Sequence, residues 1–203
     1  MEENPFVFGK AVEGSYFTNR TKDTEHLEAN LTHGINTILI SPRRWGKTSL
    51  VKKVMANIIS PDIKIIYIDV FSCKSEYDFY KVFASTIIQQ TSSKIEEWMT
   101  TAKEFLSRVI TKVAFSPDSI QEYSLSFEFP VKDDAEDILQ LPERIAQKKG
   151  IHIVLCLDEF NQNETIRQFA KVFSINHHRN SSYACLMCWR RSKIPYWRVA
   201  VLR

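Results

Sequence analysis

The stretch Thr37-Ile38-Leu39-Ile40-Ser41-Pro42-Arg43-Arg44-Trp45-Gly46-Lys47-Thr48-Ser49-Leu50-Val51 decides how the rest of the chain is read. Thr37 to Ile40 is a short, β-branched, apolar run, which suits a buried strand. From Lys47 to Ile59 the residues Leu50, Val51, Val54 and Ile58 recur at helical spacing. A strand, a tight polar loop and a helix therefore follow one another. With one departure, Ser41 to Ser49 matches the pattern G-x-x-x-x-G-K-[ST], and the match gains weight from the strand before it and the helix after it. In such a loop successive backbone N–H groups surround the β- and γ-phosphates of a nucleotide, and the positive end of the helix adds to them. Gly46 permits close backbone approach, Lys47 reaches the phosphate oxygens as a point charge, and the Thr48 hydroxyl ligates Mg²⁺. The departure is Ser41, which stands where the pattern has its first Gly. If that position required a positive φ, serine would cost about 1 kcal/mol there.

Two more runs read as buried strands, Ile63 to Val70 and Ile151 to Leu157, and helical patterns lie between them. Glu76 to Gln90 carries Phe79, Val82, Phe83 and Ile87 on one face, and Ser93 to Val113 carries Trp98, Phe105, Val109 and Val113. Asp134 to Lys149 has acids in its first turn, Lys148 and Lys149 in its last, and Gly150 as a stop. Ser124 to Phe129 alternates polar and apolar residues, as an edge strand or hairpin arm would. Strands alternating with helices predict a three-layer α/β domain around a parallel sheet.

The third strand ends in Leu155-Cys156-Leu157-Asp158-Glu159-Phe160. An apolar strand that releases an Asp at its C-terminal end places a carboxylate beside the phosphate loop, where it can support a Mg²⁺ ion. Glu159 is then placed to accept a proton from, or to orient, the water that attacks the γ-phosphate. The expected site is accordingly Ser41, Pro42, Arg43, Arg44, Trp45, Gly46, Lys47, Thr48 and Ser49 for the nucleotide, Thr48 and Asp158 for the metal, and Glu159 with Lys47 for catalysis.

Asn4-Pro5-Phe6, Phe17-Thr18-Asn19-Arg20 followed by Glu25 and Leu27, the loop from Pro42 to Leu50 with its double Arg, and Leu157-Asp158-Glu159-Phe160 together resemble the archaeal-type ATPases. These are a branch of the AAA+ P-loop NTPases, close to the STAND signalling and origin-recognition ATPases. The resemblance covers about residues 4 to 160. It implies an AAA+ core that binds ATP and Mg²⁺ through Lys47, Thr48 and Asp158, hydrolyses ATP through Glu159 to drive a conformational change, and works as a homo-oligomer. It also implies that Phe17 and Arg20 border the nucleotide, with Asn19 in place of the family's usual Gly. Members of the family continue into a sensor strand, an arginine finger and a helical lid or winged-helix part. Beyond Phe160 the sequence instead turns basic, so the resemblance implies a gene truncated or out of frame after the Asp158-Glu159 motif, with impaired turnover.

Composition sets the outer bounds. The 203 residues are 44% apolar and 25% charged with five Gly and seven Pro, which excludes collagen-like, low-complexity and wholly disordered chains. No apolar run approaches the roughly 18 residues that span a bilayer, and the acidic Met1-Glu2-Glu3 start is unlike a secretory signal, so a cytoplasmic protein without a membrane partner is expected. The four Cys then read as free thiols. From Asn161 to Arg203 there are eight basic residues and one acid, a local charge of +7, while the first 160 residues carry −4. The chain thus divides into an N-terminal segment 1–34, an NTPase core 35–160 and a basic, atypical tail 161–203, either an incomplete part of the core or out of frame, in which Ser182 to Leu186 reads as the remnant of a sensor strand. His177, His178, Cys185 and Cys188 fit common zinc spacings poorly. Basic residues interleaved with Trp189, Tyr196 and Trp197 suit single-stranded nucleic acid, so a nucleic-acid-binding module stands as one alternative and a nucleotide-binding switch that hydrolyses little as another.

Overall fold

In chain order, the computed structural model contains α1 (Thr21–Thr32), β1 (Thr37–Ser41), α2 (Lys47–Asn57), β2 (Ile63–Asp69), α3 (Glu76–Thr91), α4 (Ile95–Leu106), β3 (Lys112–Pro117), β4 (Tyr123–Glu128), α5 (Ala135–Leu139), α6 (Leu141–Lys149), β5 (His152–Asp158), β6 (Tyr183–Arg190) and β7 (Arg198–Val201). The structure describes residues 20–42, 45–106, 112–117, 123–128, 135–158, 183–190 and 198–201. Five strands form one sheet in the order β2-β5-β6-β1-β7, and β3 and β4 form a separate antiparallel pair. Neighbouring strands from β2 through β5 and β6 to β1 are parallel, whereas β7 runs antiparallel to β1 at the edge. The expected parallel sheet is therefore present in four strands, with an antiparallel strand added at one edge.

The three strands read from apolar runs are present to within a residue or two. Their alternation splits the core in two. On one face Ile66, Ile68, Ile153, Leu155 and Leu157 pack with Phe79, Phe83 and Ile87 of α3 and with Leu141 and Ile145 of α6. On the other, Leu39, Val154 and Cys156 pack with Leu27 and Leu31 of α1 and with Leu50, Val51 and Val54 of α2. Each of these large apolar side chains is almost wholly buried, at about 1.5–3 kcal/mol apiece. Helix α3 begins with a reciprocal cap: Asp78 N–H donates to Ser75 Oγ, and Ser75 N–H donates to the Asp78 carboxylate, both at 3.1 Å.

Three expectations shift. The helix foreseen from Ser93 to Val113 is described from Ile95 to Leu106, and Lys112–Pro117, within the foreseen span at Lys112 and Val113, is a strand paired with β4. The helix foreseen from Asp134 to Lys149 is divided at Gln140, because Pro142 sits in the first turn of α6, where its missing N–H costs nothing. The segment read as a basic tail supplies β6 and β7, and β6 lies between β1 and β5. The expected division at residue 160 thus cuts through the central sheet.

Candidate functional site

All four parallel strands end on the same edge of the sheet. In register, Asp69 of β2 pairs with Asp158 of β5, and Arg190 of β6 pairs with Ser41 of β1. Chain connections leave β1 and β6 in opposite directions, to β2 at one edge and to β7 at the other. The crevice at such a switch point is where open α/β sheets take ligands.

The loop after β1 occupies this position. Ser41 is the last residue of β1, fully buried and in the extended ladder opposite Arg190, so its backbone does not need the freedom of glycine. Its hydroxyl donates to the Pro42 carbonyl at 3.2 Å. Gly46 takes φ +71°, ψ +31°, the left-handed conformation that favours glycine, immediately before the first turn of α2. Having no side chain, Gly46 does not cap that turn, and the turn contains no acid. Lys47 is 6% exposed, and its ammonium donates to the Pro42 carbonyl at 3.4 Å. A buried cation whose bonded partner is a neutral carbonyl is a strong attractor for an anion. Trp45, just before Gly46, is 42% exposed.

Thr48 closes the site against β5. Its hydroxyl donates to Asp158 Oδ2 at 2.6 Å, joining residues 110 positions apart in sequence. Asp158 is 2% exposed. A second hydroxyl, that of Tyr67 on β2, donates to the same oxygen at 2.7 Å. Tyr67 was missed by the sequence reading. The available signal was one polar-tipped residue in the run Ile65-Ile66-Tyr67-Ile68, at the register position opposite Cys156. Complete burial, with the Asp158 charge adding to it, pushes the Cys156 thiol up to about 12.

The residues present fit a magnesium ion. Thr48 and Asp158 are hard oxygen donors brought within hydrogen-bonding distance of each other, and a hydroxyl that donates its proton to a carboxylate keeps its lone pairs for a cation. No group of three or more His, Cys, Asp or Glu side chains that could hold a metal occurs among the described residues. Such a site would therefore rely on phosphate oxygens and water for its other ligands, as magnesium sites commonly do. Arg43, Arg44 and Glu159 of the expected site, and Phe17 and Asn19, lie outside the described residues. So do the side chains of Cys185 and Cys188. Arg20 sits at the start of α1, its carbonyl accepting from the Thr24 N–H at 2.9 Å; partial burial pulls its guanidinium below the ordinary arginine value, opposed by Asp23.

The largely parallel sheet and the helices packed on its two faces define an α/β fold. No protein-family model and no curated protein matches this sequence. Among solved structures the chain is similar to a Walker-type ATPase of Pyrococcus abyssi, at 15% identity and TM-score 0.50, over 91% of this chain and 49% of that one. It is also similar to the ORC2 protein of Aeropyrum pernix, solved as ADPNP-ADP complexes, at 16% identity and TM-score 0.49, over 92% of this chain and 44% of that one. At these identities the likeness is one of fold, which the chain shares with the Walker-type ATPase. The chain spans about half the length of either protein. Among the described residues, no helix is long and apolar enough to cross a membrane.

Proposed function

We propose that the chain binds ATP with Mg²⁺ in the loop between β1 and α2 and hydrolyses it, as an ATPase core of the AAA+ kind. The observation that carries this reading is the 2.6 Å contact from Thr48 to Asp158 beside the buried ammonium of Lys47. A hydroxyl, a carboxylate and a cation from two distant segments converge at the end of a parallel sheet, with a left-handed glycine letting the backbone turn between them. In this reading Lys47 binds the β- and γ-phosphate oxygens, and the N–H groups opening α2 hold the phosphates in place. Thr48 and Asp158 hold the magnesium ion, which neutralises charge developing on the phosphates. Glu159, the residue after Asp158, orients the attacking water and accepts its proton, and the γ-phosphoryl group passes to that water. The similarity of fold to a Walker-type ATPase supports the same reading.

Phosphate release from ATP by wild type and by Lys47→Ala tests it. Magnesium-dependent release by wild type that Lys47→Ala abolishes is the expected result. Nucleotide binding without release would replace the ATPase with a nucleotide-dependent switch, and release unaffected by Lys47→Ala would place the activity elsewhere.

A further inference from the structure

Asp158 receives two hydroxyl donors on one oxygen, and only Thr48 belongs to the phosphate-loop pattern. Tyr67 reaches the same oxygen from β2, a strand held to β5 in unbroken parallel register from Ile63 opposite His152 to Asp69 opposite Asp158. Its ring packs against the cluster of α1 and α2 side chains that also contains Cys156 and Val154. The phenol is thus carried by a strand of fixed register, and its half-buried ring is held on one side by that cluster. Thr48 stands at a loop-to-helix junction, and its hydroxyl has a second task at the metal.

We propose that Tyr67 is a positioning residue for magnesium: its hydroxyl fixes the orientation of the Asp158 carboxylate, so the affinity for metal-bound nucleotide depends on a side chain that touches neither metal nor nucleotide. This rests on the reading that the β1–α2 loop binds Mg·ATP. Partners that orient a metal-supporting carboxylate typically alter metal affinity about 10- to 100-fold when removed. Tyr67→Phe keeps the ring and its packing and deletes the donor alone. Lys47 and the loop backbone are left intact, so binding of metal-free nucleotide does not change.

The test is calorimetric titration of wild type and Tyr67→Phe with a non-hydrolysable ATP analogue, once with Mg²⁺ and once with EDTA. The expected result is a loss of about 10- to 100-fold for Tyr67→Phe in Mg²⁺, with affinities in EDTA agreeing within about twofold. Equal loss in both media would make Tyr67 a merely structural residue, and no loss in either would remove it from the site; both overturn the proposal while leaving ATP binding standing. A wild type that binds the analogue in neither medium overturns the ATPase reading and this proposal with it. Should Tyr67→Phe fail to fold, NMR of ring-labelled wild type decides. The Tyr67 Cζ resonance should differ between the Mg²⁺ and EDTA forms of the analogue complex, and identical resonances would overturn the proposal.

Discussion

Replacing Thr48 by Val removes the hydroxyl and keeps the shape of the side chain, so it isolates the bond to Asp158 Oδ2 at 2.6 Å. Asp158 is 2% exposed, and water does not readily replace the lost donor. A hydrogen bond to a charged group contributes about 1.5–3 kcal/mol, and the Tyr67 hydroxyl still satisfies the carboxylate in part, so the loss stays within that range. For a chain of this size each kcal/mol moves Tm by about 2–4 °C, so the ligand-free variant melts about 3–12 °C below wild type. Ligand adds a second signature. At a concentration 100 times Kd a bound nucleotide stabilises the wild type by about 2.7 kcal/mol, and in Thr48→Val the magnesium-dependent share of that gain disappears. Differential scanning calorimetry without ligand, with a non-hydrolysable ATP analogue plus EDTA, and with the analogue plus Mg²⁺ measures both effects. A variant with the wild-type Tm and an undiminished magnesium increment would refute the contact and the metal site built on it.

Gly46→Ala meets no atom within 4 Å of the added methyl, so its cost is torsional, from φ +71°, and amounts to about 1–2 kcal/mol in urea unfolding; Gly46→Asn loses less, because Asn tolerates that conformation. Acid stability depends on Glu97, whose carboxyl is pulled down from 4.5 to about 2, first by the Lys149 ammonium and next by the Ser93 N–H at 2.7 Å. Its folded pKa lies below its unfolded one, so the contribution is full above about pH 5 and is lost as pH falls toward 2. The Glu97 side chain is 36% exposed, and screening reduces that contribution to about 1 kcal/mol. Glu97→Gln should therefore be less stable than wild type at pH 6, and the gap between the two should close as pH falls from 5 toward 2, as followed by urea unfolding; a gap that does not change with pH would contradict it.

Much of the sheet was legible because β5 is buried on both faces, and β1 and β2 are buried on one face and partly covered on the other, so that all three announce themselves as short, nearly continuous apolar runs. The strand at Lys112–Pro117 was not legible, because helical spacing through Val109 and Val113 overlaps a β-branched stretch, and pairing with Tyr123–Glu128 decides in favour of strand. β6 was only half seen. Tyr183 to Trp189 is a nearly unbroken apolar run, but the basic composition around it drew the reading toward a tail, and nothing local reveals that a strand some 25 residues beyond β5 inserts between β5 and β1. The placement of Lys47 and Thr48 at the start of α2 and of Asp158 at the end of β5 was legible because each lies at a strand or helix end that its neighbours in sequence define. The contact of Tyr67 with Asp158 was not, since it exists only through the register of β2 against β5. Ser41 shows the reverse: a mismatch to the expected pattern in sequence is an ordinary extended strand residue in the fold.

The central claim is that the loop around Lys47 binds the phosphates of ATP. Titrating wild type and Lys47→Ala with Mg·ATP by calorimetry tests it directly. Loss of a charge-assisted contact worth about 1.5–3 kcal/mol predicts saturable binding by wild type that weakens about 10- to 150-fold in Lys47→Ala, with both proteins folded. Equal affinity in the two proteins, or no binding by folded wild type, would contradict it.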